Sequence, residues 1–248
     1  MSAFSRGWGG MSAAFLAGLL AVTPVAAPAV EQTDLIVFDV VLKGIRAGRL
    51  TLTGVVDGTQ YSASGTLESA GLIRLVRKVK YVAESAGTVK NGRYTPSYYS
   101  EVADTGKRVS QSTMEYRAGV PQVKVYSPPR EPQETDVKPE TQGGTVDPLT
   151  ALYATLRDVP AAEACTLEVQ MFDGKRRSQI TLSAPVVGED GIVCAGEYRR
   201  LAGFSEHEMA DKIAFPFRLY YVPVAEGMMR VNLIETDTTF GLGSLRRR

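Results

Sequence analysis

The only histidine, His207, begins the run His207-Glu208-Met209-Ala210-Asp211, which has the outline of a zinc-binding helix motif with aspartate in place of the second histidine. One imidazole cannot complete a zinc ligand set, so the run reads as a polar loop and no metal is expected. Ser205 is near His207 in sequence only. The chain has no Gly-x-Ser-x-Gly elbow, phosphate-binding loop or dinucleotide fingerprint. Asp39, Glu235 and Asp237 fall in segments of strand pattern, where two carboxylates facing across a cavity would be able to do acid–base work. Acids inside a barrel are as readily solvated or paired with arginine. With no Cys-x-x-Cys spacing there is no redox motif either, and the chain is expected to be non-enzymatic and to use no cofactor.

Cys165 and Cys194 are the only cysteines. Their pairing depends on compartment, and the N-terminus addresses that. From Gly7 to Val30 there is no charge, Arg6 precedes the run and Glu31 closes it. The apolar stretch Met11 to Val22 is shorter than the roughly 20 residues that span a bilayer and is followed by small residues at Ala27 and Ala29. This is the layout of a cleavable secretory signal over residues 1–29, with an uncleaved anchor helix as the alternative. The product, 30–248, is expected in the periplasm, in contact with a membrane at its periphery at most. An oxidising compartment favours a Cys165–Cys194 disulfide. However, Cys165 is read at the start of one strand and Cys194 two strands later, and two strand spacings exceed the reach of a bridge. A bond then needs strong coiling, a bulge or a loop at Cys165, and two buried thiols are the other outcome.

Without Arg6, basic and acidic side chains are equal in number. That balance removes the general attraction on which nucleic-acid binding rests, and no basic stripe with interleaved aromatics replaces it. Arg246, Arg247 and Arg248 read as a solvated tail.

The elements available to position any site are mainly strands. Twelve short segments alternate or are doubly apolar: 34–42, 48–56, 59–68, 79–89, 93–102, 107–117, 121–127, 164–172, 175–184, 191–200, 213–223 and 228–238. Asp57-Gly58, Asn91-Gly92 and Asp173-Gly174 suit tight hairpins, since they accept the positive φ of a type I′ turn. Residues 43–48, 104–106, 189–191 and 226–227 read as looser connections. A tight turn at Asp173-Gly174 sets Leu167 opposite Ile180 and Cys165 opposite Leu182. The first strand is apolar on both faces, through Ile36, Phe38, Val40 and Leu42 on one side and Leu35, Val37 and Val41 on the other, and is expected to be covered on both.

Two segments break the pattern. Asp147-Pro148 before Leu149, Leu152, Tyr153 and Leu156 predicts a helix capped by Asp147. In 71–78, Leu72, Leu75, Val76 and Val79 follow helical spacing with Arg74, Arg77 and Lys78 opposite. This predicts a short amphipathic helix or a distorted strand start. Residues 127–144 are rich in Pro, Glu, Gln and Thr and nearly free of large apolar groups, so they read as a mobile loop crossing between two blocks of strands within one domain. A split into two domains is the alternative.

Several of these patterns together resemble an exported bacterial family catalogued as domain of unknown function 3108. They are Phe38-Asp39-Val40-x-Leu42-x-Gly44-x-Arg46-Ala47-Gly48, Asp147-Pro148-Leu149 with Leu152-Tyr153, and Phe172-Asp173-Gly174. Cys194 with Tyr198, Arg200, Gly203 and Phe204, and Thr239-Phe240-Gly241, complete the set. That family is similar in architecture to the periplasmic lipoprotein carriers LolA and LolB. The resemblance implies an open, strongly coiled antiparallel sheet, an incomplete barrel of about 11 to 12 strands with one or two short helices on its concave face.

What the resemblance implies for function is a protein that holds an apolar ligand, a lipid or lipoprotein acyl chain, or supports the envelope through such binding. The alternative is an envelope scaffold with a filled core, a protein partner and no ligand. In the carrier reading, Leu72, Leu75, Val76 and Val79 form a lid over the cavity, and Arg74 and Arg77 lie near an anionic head group. In the other reading the same stripe plugs the core.

Overall fold

The computed structural model describes Met1 and residues 32–71, 73–76, 78–238 and 241–248. Apart from Met1, the expected signal at 1–29 lies outside them, as do Leu72, Arg77, Thr239 and Phe240. The first block is a meander of β1 Gln32–Leu42, β2 Ile45–Asp57, β3 Gln60–Ser69, β4 Lys80–Lys90, β5 Arg93–Asp104, β6 Val109–Arg117 and β7 Val120–Ser127. Helix α1, Ile73–Val76, interrupts it between β3 and β4. Helix α2, Pro148–Leu156, and the short β8, Val159–Pro160, lead to the second block of β9 Glu168–Phe172, β10 Arg177–Gly188, β11 Gly191–Ala202, β12 Ala214–Pro223, β13 Met228–Thr238 and β14 Gly241–Arg247. Helix α3, Glu206–Asp211, lies between β11 and β12.

All twelve expected strands are present, and two further ones join them. The larger addition is β14. It pairs with β1, Phe38 opposite Arg247, and with β13, Ile234 opposite Leu245. Arg246 and Arg247 are therefore no free tail, because they belong to the strand that welds the two blocks into one antiparallel sheet of order β7-β6-β5-β4-β3-β2-β1-β14-β13-β12-β11-β10-β9, and Arg248 N, just past it, donates to Val37 O. The strand's pattern was hard to read because glycine and serine alternate with single apolar residues.

The sheet does not close, but it curls until its free edges approach one linker. Gly144 N donates to Gly119 O beside β7, while Val146 N donates to Gln170 O on β9, and Phe172 N donates back to Val146 O. Two residues of linker thus span the seam of an incomplete barrel. Residues 127–144, read as mobile, carry bonds of their own. Arg130 forms a two-pronged ion pair with Asp136 at 2.7 and 3.0 Å, and Val137 N donates to Lys175 O. Side-chain and edge-strand hydrogen bonds supply the ordering that the composition lacks in apolar surface.

Turn chemistry explains the local departures. Lys43-Gly44, read as part of a loose connection, is a tight hairpin with φ of 50° and 78° joining Leu42 to Ile45. Asn91-Gly92 joins Lys90 to Arg93 in the same way, as expected. At Asp173 the pairing is two residues from the expected one, with Ile180 opposite Val169 and Phe172 opposite Arg177. The Asp173 carboxylate accepts from the amides of Lys175 and Arg176 at 3.0 and 2.7 Å, spreading the turn over four residues. An even shift leaves each side chain on its expected face.

The core lies on the concave side, where Ile36, Phe38, Leu52, Cys194, Leu219 and Val231 are at most 1 % exposed. The outer side of β1 is not covered as expected, and Leu35 is 67 % exposed. Helix α2 runs inside the first block. Its cap is as read, with Asp147 accepting from Thr150 N at 2.8 Å. Its fit depends on Gly54, where a Cβ would stand 2.1 Å from the Tyr153 ring, and on Gly65, where one would stand 2.8 Å from Leu149. The large helical side chains occupy the room those glycines leave.

Candidate functional site

The residues singled out for chemistry are dispersed. His207 is exposed on α3, whose N-terminus is a capping box of Ser205 and Glu208. Both residues are thereby engaged in helix capping. Asp39 faces outward and pairs with Arg46 at 2.9 Å and with Arg248 at 3.2 Å, while Glu235 accepts from the Tyr220 hydroxyl at 2.9 Å. Among the described residues, no group of three or more His, Cys, Asp or Glu is placed to hold a metal.

Cys165 and Cys194 are brought together, with Cα atoms 5.3 Å apart and the sulfurs at bonding distance. Cys165 does not begin a strand as expected. It precedes β9 with a φ of 64°, and Leu182 N already pairs with Leu167 O. The chain therefore leaves the ladder before Cys165 and passes over β10 on the buried side to reach β11.

One buried polar cluster joins α2 to the sheet. Ser85 Oγ and Thr150 Oγ1 donate to Asp147 Oδ2 at 2.8 and 2.7 Å, Tyr61 Oη lies 2.8 Å from Thr150 Oγ1, and Tyr153 Oη donates to Asp34 Oδ2 at 2.6 Å. Burial pushes the Asp147 carboxyl up to about 6 against the hydrogen bonds from Thr150 and Ser85, which favour its charge. A hydroxyl beside a carboxylate suggests a nucleophile, but Ser85, Thr150 and Asp147 are at most 3 % exposed. The cluster fixes the helix and is closed to a substrate.

Among the described residues, a cavity of about 600 Å³ lies open to a ligand at the seam. It is bounded by the Asn91-Gly92 and Ala118-Gly119 turns, the linker at Gly144 to Val146, the C-terminal end of α2 and the strand β9. Its apolar wall includes Tyr94, Val146, Ala154, Val159, Leu167 and Tyr221, and Arg93, Arg157, Glu163 and Glu168 supply charge. Burial raises the Tyr94 phenol and pushes that of Tyr221 up to about 12, so both stay neutral at physiological pH. Arg157, next after α2, lies 3.3 Å from Glu163 through Nη2, while its buried Nε has no hydrogen-bond partner among the described residues.

The proposed lid is not at this cavity. Helix α1 sits where Ala70 N donates to Ala47 O and Ser69 N to Val79 O, at the other end of β4 from the Asn91-Gly92 turn. Nor does it plug the core, since Leu75 is 83 % exposed and Arg74 is exposed as well. Val79 is half-buried, and Leu72 and Arg77 lie outside the described residues. Spacing alone had grouped the apolar residues of 72–79, whereas the described helix, Ile73–Val76, is one turn long and leaves Leu75 exposed.

Sequence reading missed Tyr94, Arg157 and Tyr221, which the fold gathers from β5, the end of α2 and β12. The one signal was Arg157 directly after the helix end at Leu156, a position where a long basic side chain can turn back over the apolar face.

Comparison with known proteins places this architecture in context. The family described as protein of unknown function (DUF3108) has a model that matches residues 37–202. No curated protein matches. Among solved structures the chain is similar to a β-barrel-like protein of domain of unknown function DUF1849 from Brucella abortus, with TM-score 0.48 and 10 % identity, over 87 % of this chain and 95 % of that one.

Proposed function

The chain belongs to the DUF3108 family, a membership that carries no activity, and we propose that the protein is a non-enzymatic holder of an amphiphile in the periplasm. The seam cavity takes the apolar chain of a lipid or lipoprotein. The observation that carries this reading is a cavity of about 600 Å³, within the usual range for small-molecule sites, whose lining joins the apolar Tyr94, Leu167 and Tyr221 to the guanidinium-bearing Arg157. Tyr94, Ala154, Leu167 and Tyr221 would pack along the chain, and Arg157 would meet a carbonyl or an anionic oxygen at its head. The sealed Ser85, Thr150 and Asp147 cluster supports a role without catalysis. The Cys165–Cys194 pair supports an oxidising compartment.

The alternative, an envelope scaffold, draws on one observation. Helix α2 already fills the first block, with Tyr153 against Gly54 and Leu149 against Gly65. One experiment separates the two. Protein purified from its own cell is weighed under native conditions and extracted for lipid, then titrated with a dansyl-labelled fatty acid beside its Ala154→Phe and Arg157→Gln variants. The holder reading requires co-purified lipid or saturable probe binding that Ala154→Phe blocks and Arg157→Gln weakens. A ligand-free mass, no probe binding and a stable protein partner would establish the scaffold instead.

A further inference from the structure

The end of the sheet opposite the cavity gathers four separate pieces of chain. Lys43 N donates to Leu242 O, joining the β1–β2 turn to the start of β14, and Ala70 N donates to Ala47 O beside α1. A Cβ on Gly106 would stand 2.5 Å from the Lys78 carbonyl, so the β5–β6 turn abuts the segment after α1. These contacts make one continuous rim.

Large apolar side chains project from every part of it. Leu75 is 83 % exposed, Val109 59 %, Ile45 54 %, Leu242 47 % and Ile73 40 %. Single exposed apolar residues are ordinary on a protein surface. Five on one short helix and three adjoining strand ends call for a partner. Interleaved with them are Lys43, Arg74, Lys78, Lys107 and Arg108, none of which forms an ion pair with a described residue. The acids on the same pieces are fewer. Asp104 accepts from the Gly106 amide, Glu68 and Asp104 flank Lys80 across the strands, and Asp237 lies opposite Leu242.

We infer that this rim docks on the surface of an anionic lipid bilayer. Apolar tips ringed by unpaired bases match the two layers they would meet, acyl chains below and phosphate oxygens at the head groups. The side chains stand on α1 and on three separate strand ends, and a fluid bilayer conforms to such points where a folded partner would have to match them. The inference is independent of the seam cavity. It assigns the Ile73 to Val76 helix a place at the membrane face.

The test is co-sedimentation of the purified protein with phosphatidylcholine vesicles, with and without phosphatidylglycerol. Binding is expected only with phosphatidylglycerol, weakening as salt rises. Arg74→Gln with Lys107→Gln should lower it about fivefold for each base removed, and Leu75→Asp with Val109→Asp should abolish it. A Leu75→Trp variant should shift its emission to the blue on adding the anionic vesicles, which reads insertion even if the aspartate pair were to disturb folding. Uptake of the dansyl-labelled fatty acid should be unchanged in all these variants, which keeps a failure of the rim distinct from a failure of the cavity. No sedimentation with anionic vesicles, equal binding to neutral ones, or no blue shift together with undiminished binding of the aspartate pair would overturn the inference.

Discussion

Tyr153 on α2 donates its hydroxyl to Asp34 on β1 at 2.6 Å, and its ring fills the place where any other residue at position 54 would carry a Cβ. One side chain thereby holds the helix to two strands, by a hydrogen bond to β1 and by contact with β2. Gly54→Ala should cost about 1 to 3 kcal/mol through overpacking. Urea unfolding of Gly54→Ala alone and in a Tyr153→Ala background gives the check, and the cost should largely vanish in the second.

Asp147 predicts a pH dependence of definite sign. Its folded pKa, about 6, stands above the unfolded 3.8, so the folded protein binds the proton more tightly. The associated stability is fully present below the unfolded value and is lost as pH rises through about 6, a difference of about 3 kcal/mol. Asp147→Asn keeps a capping side chain and removes the titration. Unfolding free energies from pH 4 to pH 7 should fall more steeply in the parent than in the variant, and parallel curves would refute the assignment.

The Cys165–Cys194 pair closes a loop of 29 residues. Protein unfolded without reductant should show no thiol to a labelling reagent. Reduction should then lower stability by about 3 to 4 kcal/mol on the chain-entropy estimate.

Two neighbouring arginines of β14 should behave oppositely. Arg247 is 10 % exposed, lies over the Phe38 ring, donates to Val231 O at 3.2 Å and lies 3.8 Å from Asp158. Arg247→Ala should cost about 2 kcal/mol through lost packing and hydrogen bonding. Arg246 is exposed, and Arg246→Ala should stay within about 0.5 kcal/mol. Equal effects in thermal unfolding would contradict the placement of β14.

The export proposal has its own readout. The protein from the periplasmic fraction should begin at Val30, as shown by N-terminal mass analysis. An intact N-terminus in the membrane fraction would replace the signal by an anchor.

Strand positions were legible because alternation and turn residues are local properties of the chain. Asn91-Gly92 and the Asp147-Pro148 cap marked their elements without help from distant residues, and the family resemblance rested on such local patterns. What depended on distant partners was not legible. The spread of the turn at Asp173 came from a carboxylate bonding two amides, and the position of β14 from β1 and β13 offering it two edges at once. The stripe at 72–79 had the spacing of a lid or plug, but whether it faced a cavity depended on which end of the sheet the β3–β4 connection occupied. The seam cavity arose only when a curling sheet brought Tyr94, Arg157 and Tyr221 together, residues that share no pattern in the sequence. Hydrophobic periodicity records which face of an element is buried. It does not record what the face is buried against, and that was decided by the curling of the open sheet around α2.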